Sequence, residues 1–329
     1  MKLVLPLLLA IILSHPAFAR STTISNDKTC STELSCASNS VVSLLPQWPP
    51  NFTRNEEPEG SGVVVGDGTL VVTADHVLGP AKKASIRTIN GIILDAEIVM
   101  RDQFTDIAFL KVSEPLTPIK FPDNREPFST EHLGEKACAI GNSFGLDISV
   151  TCGVISATSV SGVGFNQIED FVQTDAAVNP GMSGGALVNE KGELFGLLSA
   201  IFTRQSDANI GVNFAVSSHL LQVVLDDFKK DGKVRHPRPG VLLRPSDPAK
   251  TNNILGSEVV RIEEDSSEWK AGIRTGDILL SANNRRLKRA GAYQAAFTLA
   301  RSNKKLELQV WRENQIIEVT VQLDDKTLN

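Results

Sequence analysis

Ser183 lies in Gly181-Met182-Ser183-Gly184-Gly185, with glycine two residues before it and at both positions after. Such flanks open backbone conformations closed to other residues and leave the hydroxyl accessible. A tight turn there can aim consecutive N–H groups at one point, which is what stabilising an oxyanion requires. A serine hydroxyl is a weak nucleophile until an imidazole takes its proton, and that imidazole needs a carboxylate on its other nitrogen. Of the five histidines, His15 lies in an N-terminal apolar run, His132 in a polar turn, His219 on an expected helix and His236 beside prolines. His76 instead ends the β-rich run Val63 to Asp75, which reads as two short strands around an Asp-Gly turn. Asp106 stands at the mouth of the apolar strand Ile107 to Val112, where a buried carboxylate without a partner is costly. His76, Asp106 and Ser183 are together the groups that acyl transfer by an activated serine needs, and their order is one of several in which such triads occur.

The elements that must position these groups are mostly strands. After Ser183, the apolar runs Ala186 to Val188 and Leu194 to Leu198, separated by Asn189-Glu190-Lys191-Gly192, read as a hairpin. Strand-like periodicity runs from Glu59 to Phe121. Ser217 and Ser218 offer a helix cap, His219 to Lys230 has helical period, and Gly232 is a fitting stop.

Six segments carry a resemblance: Gly60-Ser-Gly-Val-Val-Val, Thr73-Ala-Asp-His-Val, Thr105-Asp-Ile-Ala-Phe-Leu, Ala139-Ile-Gly-Asn-Ser-Phe-Gly145, Gln173-Thr-Asp-Ala-Ala-Val and Gly211-Val-Asn-Phe-Ala-Val. In this order and spacing they resemble the HtrA/Deg serine proteases, from about Glu59 to the C-terminus. The resemblance implies a mostly β chain, with a trypsin-like double β-barrel over residues 59–232, a linker over 233–238 and a single PDZ domain over 239–329. It makes His76, Asp106 and Ser183 the catalytic residues, with the Gly181 and Ser183 N–H groups as the oxyanion hole. Ala177, six residues before the serine, leaves no charge at the pocket base, and the resemblance places Val178, Ile201 and Phe202 around it. Cleavage after small or medium aliphatic residues is therefore expected. Two positions depart from the family pattern: Met182, where Asn or Asp is usual, and Asp75, where Ala or Asn is common.

Trp269 to Asn283 carries the PDZ signature, Ala290 to Arg301 reads as the groove helix, and Leu306 to Trp311 with Ile316 to Leu323 as a closing hairpin around Glu313-Asn314. The carboxylate-binding loop implied by the family is Gly240, Val241 and Leu242, preceded by Pro239 where a large apolar residue is common. A PDZ domain binds a peptide C-terminus by adding it to a sheet edge. The basic run Arg285 to Arg289 reads as a solvated loop before a helix. Ser156 to Val172 contains no Arg or Lys, although regulated relatives use an Arg there as a relay. Weak coupling follows, so short-peptide hydrolysis should survive loss of Pro239 to Asn329 within a few-fold. The implied partners are unfolded protein substrates and C-terminal peptides, and the implied assembly is a homotrimer, with Trp48 and Phe52 as candidate contacts. Two functional classes fit: an active serine endopeptidase and a catalytically silent PDZ chaperone. The intact triad favours the first.

The remaining features concern compartment. Residues 1–19 read as a signal peptide, with Lys2, the apolar run Leu3 to Leu13 and the small-x-small site Ala17-Phe18-Ala19. That run is too short to span a bilayer comfortably, so a periplasmic or otherwise extracytoplasmic protein with no stable membrane span is expected. Residues 20–58 read as an extension, Ser/Thr/Asn-rich and poorly ordered to Ser40, then a Pro-rich lead-in from Val41 to Pro58. A net charge of −5 gives no reason to expect a nucleic-acid partner. Export makes Cys30, Cys36, Cys138 and Cys152 disulfide candidates, and four cysteines allow three connectivities. Their spacing matches no zinc motif, and no metal or cofactor is implied.

Overall fold

A computed structural model describes residues 30–49, 59–123, 130–201, 211–251, 253–301 and 303–323. The first barrel consists of β1 (Val41–Pro46), β2 (Gly60–Val65), β3 (Leu70–Ala74), β4 (Ala84–Arg87), β5 (Ile93–Asp102) and β6 (Ile107–Val112), closed in the order β1-β2-β3-β6-β5-β4. The second closes in the order β10-β11-β12-β9-β8-β7, from β7 (Lys136–Asn142), β8 (Ile148–Val160), β9 (Phe171–Thr174), β10 (Ala186–Val188), β11 (Leu194–Ile201) and β12 (Asn213–Ser217). A six-stranded PDZ-like sheet follows: β13 (Val241–Pro245), β14 (Ser257–Ile262), β15 (Ile278–Ala282), β16 (Arg285–Arg286), β17 (Lys305–Arg312) and β18 (Gln315–Gln322). The helices are α1 (Glu33–Ser38), α2 (Asp75–Leu78), α3 (Ser218–Asp231), α4 (Ser267–Lys270) and α5 (Ala290–Leu299). Among the described residues, no helix is long and apolar enough to cross a membrane.

Successive residues of a strand face opposite sides, and β2 uses both. Val64 packs with Val42, Leu44, Val71 and Leu110, whereas Val63 and Val65 join Val72, Ile107 and Phe109 in a second cluster. That second cluster also takes Phe171 and Val216 from the other barrel and Leu220, Leu221 and Val224 from α3. One apolar seam thus welds the outer wall of the first barrel to the second. Helix α3 closes it, with Ser217 capping Leu220 N–H at 3.1 Å and Gly232 ending it in the left-handed conformation.

The lead-in expected from Val41 to Pro58 ends differently. Val41–Pro46 is barrel strand β1, paired to β2 through Val41↔Val63 and to β4 through Ser43↔Arg87. Burial on both faces removed the alternation that would have marked it as a strand. Upstream, the stretch expected to be poorly ordered holds α1, capped by Thr32. The cysteines pair locally, Cys30 with Cys36 and Cys138 with Cys152, the latter directly opposite each other on β7 and β8. Trp48, a candidate trimer contact, donates its indole N–H to the Leu78 carbonyl of its own chain at 2.9 Å. Phe52 and the signal segment lie outside the described residues.

The basic run before α5 is solvated only in part: Arg286, Lys288 and Arg289 are exposed, whereas Arg285 is not. Arg285 is 8% exposed, Leu287 is fully buried, and Arg285 forms an ion pair with buried Asp170 just before β9. Ser217 Oγ donates to the same carboxylate. Arg289 donates to the Gly162 carbonyl at 3.0 Å, and Arg301 pairs with Asp227 on α3. The linker is held as well: His236 Nε2 lies 2.8 Å from Asp102, and its ring stacks on Phe104 at 4.4 Å.

Candidate active site

His76 follows β3 on the single turn α2. That turn is clamped by Arg101 on β5, which donates to both carboxylate oxygens of Asp75, to its carbonyl at 3.2 Å and to the Gly79 carbonyl at 2.8 Å. Asp75, unusual for the family, therefore has a structural partner beside the histidine. Asp106 enters β6 from a turn in which Thr105 Oγ1 donates to Asp102 at 2.6 Å. Its φ is 60°, in the left-handed region that Asp tolerates better than most residues. In that geometry the Asp106 carbonyl accepts Asp75 N–H at 3.1 Å, and its carboxylate faces the histidine. Oδ1 accepts His76 N–H at 2.9 Å, and Oδ2 lies 2.7 Å from His76 Nδ1. Since an ionised carboxylate only accepts, Nδ1 carries the proton and Nε2 is the ring nitrogen left without one.

Ser199, on β11, also donates its hydroxyl to Asp106 Oδ2 at 2.8 Å. Sequence reasoning missed this residue. Its run, Leu197-Leu198-Ser199-Ala200, reads as an ordinary buried strand, and the contact spans 93 positions of the chain.

The Ser183 loop is pinned from the first barrel. Ser61 N–H donates to the Ser183 carbonyl at 2.9 Å, and Ser61 Oγ donates to the Gly181 carbonyl at 2.8 Å. Phe144 N–H takes the Pro180 carbonyl at 2.8 Å. Both peptide planes flanking Gly181 are thereby fixed. Gly184, at φ 83°, could be nothing else: a Cβ there would sit 2.2 Å from the Ser61 carbonyl oxygen. Met182 is fully buried among Val172, Val178, Leu187 and Leu198, so this position anchors the loop by apolar packing. Among the described residues, neither the Gly181 nor the Ser183 N–H has a hydrogen-bond partner. The Ser183 hydroxyl donates to the Ser199 carbonyl at 3.3 Å and not to His76.

Of the pocket residues, Val178 is 3% exposed and Ile201 ends β11, while Phe202 lies outside the described residues. Gly240 precedes the edge strand β13, which holds Val241 and Leu242, and Leu242 is 54% exposed.

The loop between β8 and β9 was expected to lack a relay because it has no cation. Its shape comes instead from buried Glu169, whose carboxylate accepts the N–H groups of Val163, Gly164, Phe165 and Asn166 at 2.6–3.1 Å. The cations come from the other domain, as Arg285 and Arg289. Asn166 Nδ2 and Ile168 N–H then reach the carbonyls of Thr105 and Phe104, next to Asp106.

The model of a trypsin-like peptidase domain matches residues 60–197, and that of a PDZ domain matches residues 209–323. A probable serine protease do-like of Buchnera aphidicola is 36% identical over 301 residues, covering 88% of this chain and 62% of that protein. The periplasmic serine endoprotease DegP of Escherichia coli is 34% identical over 278 residues, 82% of this chain and 58% of DegP. The chain thus spans about three fifths of these relatives' length. Among solved structures, the HtrA-type protease AlgW with a tripeptide is 27% identical, with TM-score 0.64 over 88% of this chain and 95% of that one. The serine endoprotease from Yersinia pestis is 30% identical, with TM-score 0.56 over 88% and 95%.

Proposed function

We propose, from the fact that this chain belongs to the HtrA/DegP family of serine proteases with a trypsin-like domain and one PDZ domain, that it is a periplasmic serine endopeptidase cleaving unfolded or damaged proteins. What carries the reading is the His76–Asp106 pair at 2.7 Å, linked through Ser199 to a serine loop whose Gly181 and Ser183 N–H groups have no hydrogen-bond partner among the described residues. A turn about the Ser183 side-chain torsion moves its hydroxyl from the Ser199 carbonyl to His76, the kind of tightening that substrate binding brings. Ser183 Oγ then attacks the scissile carbonyl while His76 Nε2 takes its proton. Asp106 holds the imidazole in the required tautomer and stabilises the imidazolium. The Gly181 and Ser183 N–H groups receive the developing oxyanion. His76 returns the proton to the leaving amine, and water repeats the sequence on the acyl-enzyme.

The resemblance to the family puts Ala177 at the base of the substrate pocket and Val178, Ile201 and Phe202 around it, and such a pocket selects small or medium aliphatic residues. The chain assembles as a homotrimer, and the PDZ domain tethers extended substrate segments. The test is a fluorophosphonate probe together with a digest of unfolded casein. Labelling and cleavage should both vanish in Ser183→Ala, with mapped termini following Val, Ile or Ala. Cleavage that persists in Ser183→Ala removes the nucleophile assignment, and termini mainly after Lys or Arg remove the pocket.

A further inference from the structure

The loop expected to hold a peptide C-terminus already holds a carboxyl group. Gly240 N–H donates to Glu268 Oε1 at 3.1 Å, and the Tyr293 hydroxyl of α5 donates to the same oxygen at 3.2 Å. Glu268 sits in α4, held at its start by Ser266 Oγ, which accepts Trp269 N–H at 3.1 Å. It is fully buried, and its second oxygen, Oε2, is also buried and lacks a hydrogen-bond partner among the described residues. The backbone at Gly240 is pressed onto this group: an added Cβ would lie 2.2 Å from Ser266 Cβ and 3.2 Å from Glu268 Oε2. Pro239, immediately before, has no N–H to offer. A cradle for a terminal carboxylate needs several convergent donors, and here one is missing and one is engaged. A second carboxylate brought to Gly240 would also meet a like charge in a poorly screened site.

Among the described residues, no strand pairs with the outer edge of β13. β13 pairs with β14 on one side and ends the sheet on the other, so its outer backbone groups can add a further strand. Strand addition draws on main-chain hydrogen bonds and does not require a chain end.

We propose that Glu268 is the resident occupant of the carboxylate seat, so that the β13 edge takes internal extended segments of unfolded polypeptide and not free C-termini. The inference rests on the family reading of the second domain as a peptide binder and not on the Ser183 chemistry. The two therefore fail separately: probe labelling tests one, and binding by a Ser183→Ala chain tests the other.

The experiment uses full-length Ser183→Ala protein and a fluorescein-labelled decapeptide ending Leu-Ala-Val, made as the free acid and as the C-terminal amide. Fluorescence anisotropy at pH 7.5 should show the acid binding no more tightly than the amide. Glu268→Ala, which empties the seat, should make the acid bind at least about tenfold more tightly than the amide, equivalent to roughly 1.4 kcal/mol. Glu268→Gln keeps an oxygen for Gly240 without the charge and does not depend on filling a cavity. A gain of acid preference in either variant supports the proposal. A tenfold acid preference already present in the parent overturns it, as does the lack of any gain in both variants while circular dichroism shows them folded.

Discussion

Asp106 is held at φ 60°, and three hydrogen bonds converge on its carboxylate, from His76 N–H, His76 Nδ1 and Ser199 Oγ. Removing the third leaves the imidazole pair in place but less fixed. A hydrogen bond to a charged group contributes about 1.5 kcal/mol at the low end, and about 1.4 kcal/mol is tenfold in rate. Ser199→Ala should thus lower kcat roughly tenfold with KM little changed, and steady-state kinetics that split the loss onto KM would argue against an orienting role. Glu268 offers a prediction of another kind. Burial raises its pKa above the ordinary 4.5, so the folded chain keeps the proton to higher pH than the unfolded chain does. Its contribution is then fully present below the unfolded pKa and lost as pH rises through the folded one. Glu268→Gln should melt higher than the parent at pH 7.5, and the gap should close as pH falls towards 4.5. A gap independent of pH would assign the effect to packing. The candidate triad stood out in the sequence because each member has a local frame: glycines around Ser183, a strand exit at His76, a strand mouth at Asp106. Ser199 and Glu268 have none, because their partners come from distant segments and their own surroundings look like ordinary strand and helix.

At the scale of elements, the hairpins and α3 were readable from turn residues and caps, which act over a few positions. β1 was not, because closing the first barrel buries both its faces and erases the period of two. In the basic run before α5, Arg286, Lys288 and Arg289 are exposed as expected, but Arg285 is not, for a related reason: the same residue type serves a solvated loop or a docked one, and only the surface opposite decides. That surface is Asp170, 1% exposed, with Ser217 beside it. Breaking a buried pair from one side leaves an uncompensated charge, at a cost of about 3–5 kcal/mol. Arg285→Ala should lose that much in denaturant unfolding, and combining it with Asp170→Asn should recover a good part. Equal losses in the single and double variants would mean that the two groups do not act as a pair.

For the whole molecule, two barrels before a PDZ-like sheet is what the family resemblance implied, carried by six motifs up to Val216 and by the separate signature from Trp269 to Asn283. How the second domain sits on the first has no such signature. It is tied down at Arg285, Arg289 and Arg301, and the linker is pinned through His236 to the turn preceding Asp106. Cutting this contact surface and mutating it are then opposite interventions. Removing Pro239 to Asn329 lets water reach Asp170, and a hydrated carboxylate needs no arginine, so the truncated protease should still hydrolyse a short peptide within a few-fold of the full-length rate. Arg285→Ala leaves the cover in place and the carboxylate dry. The smaller lesion should therefore be the more damaging one, with the substituted chain melting below the truncated one.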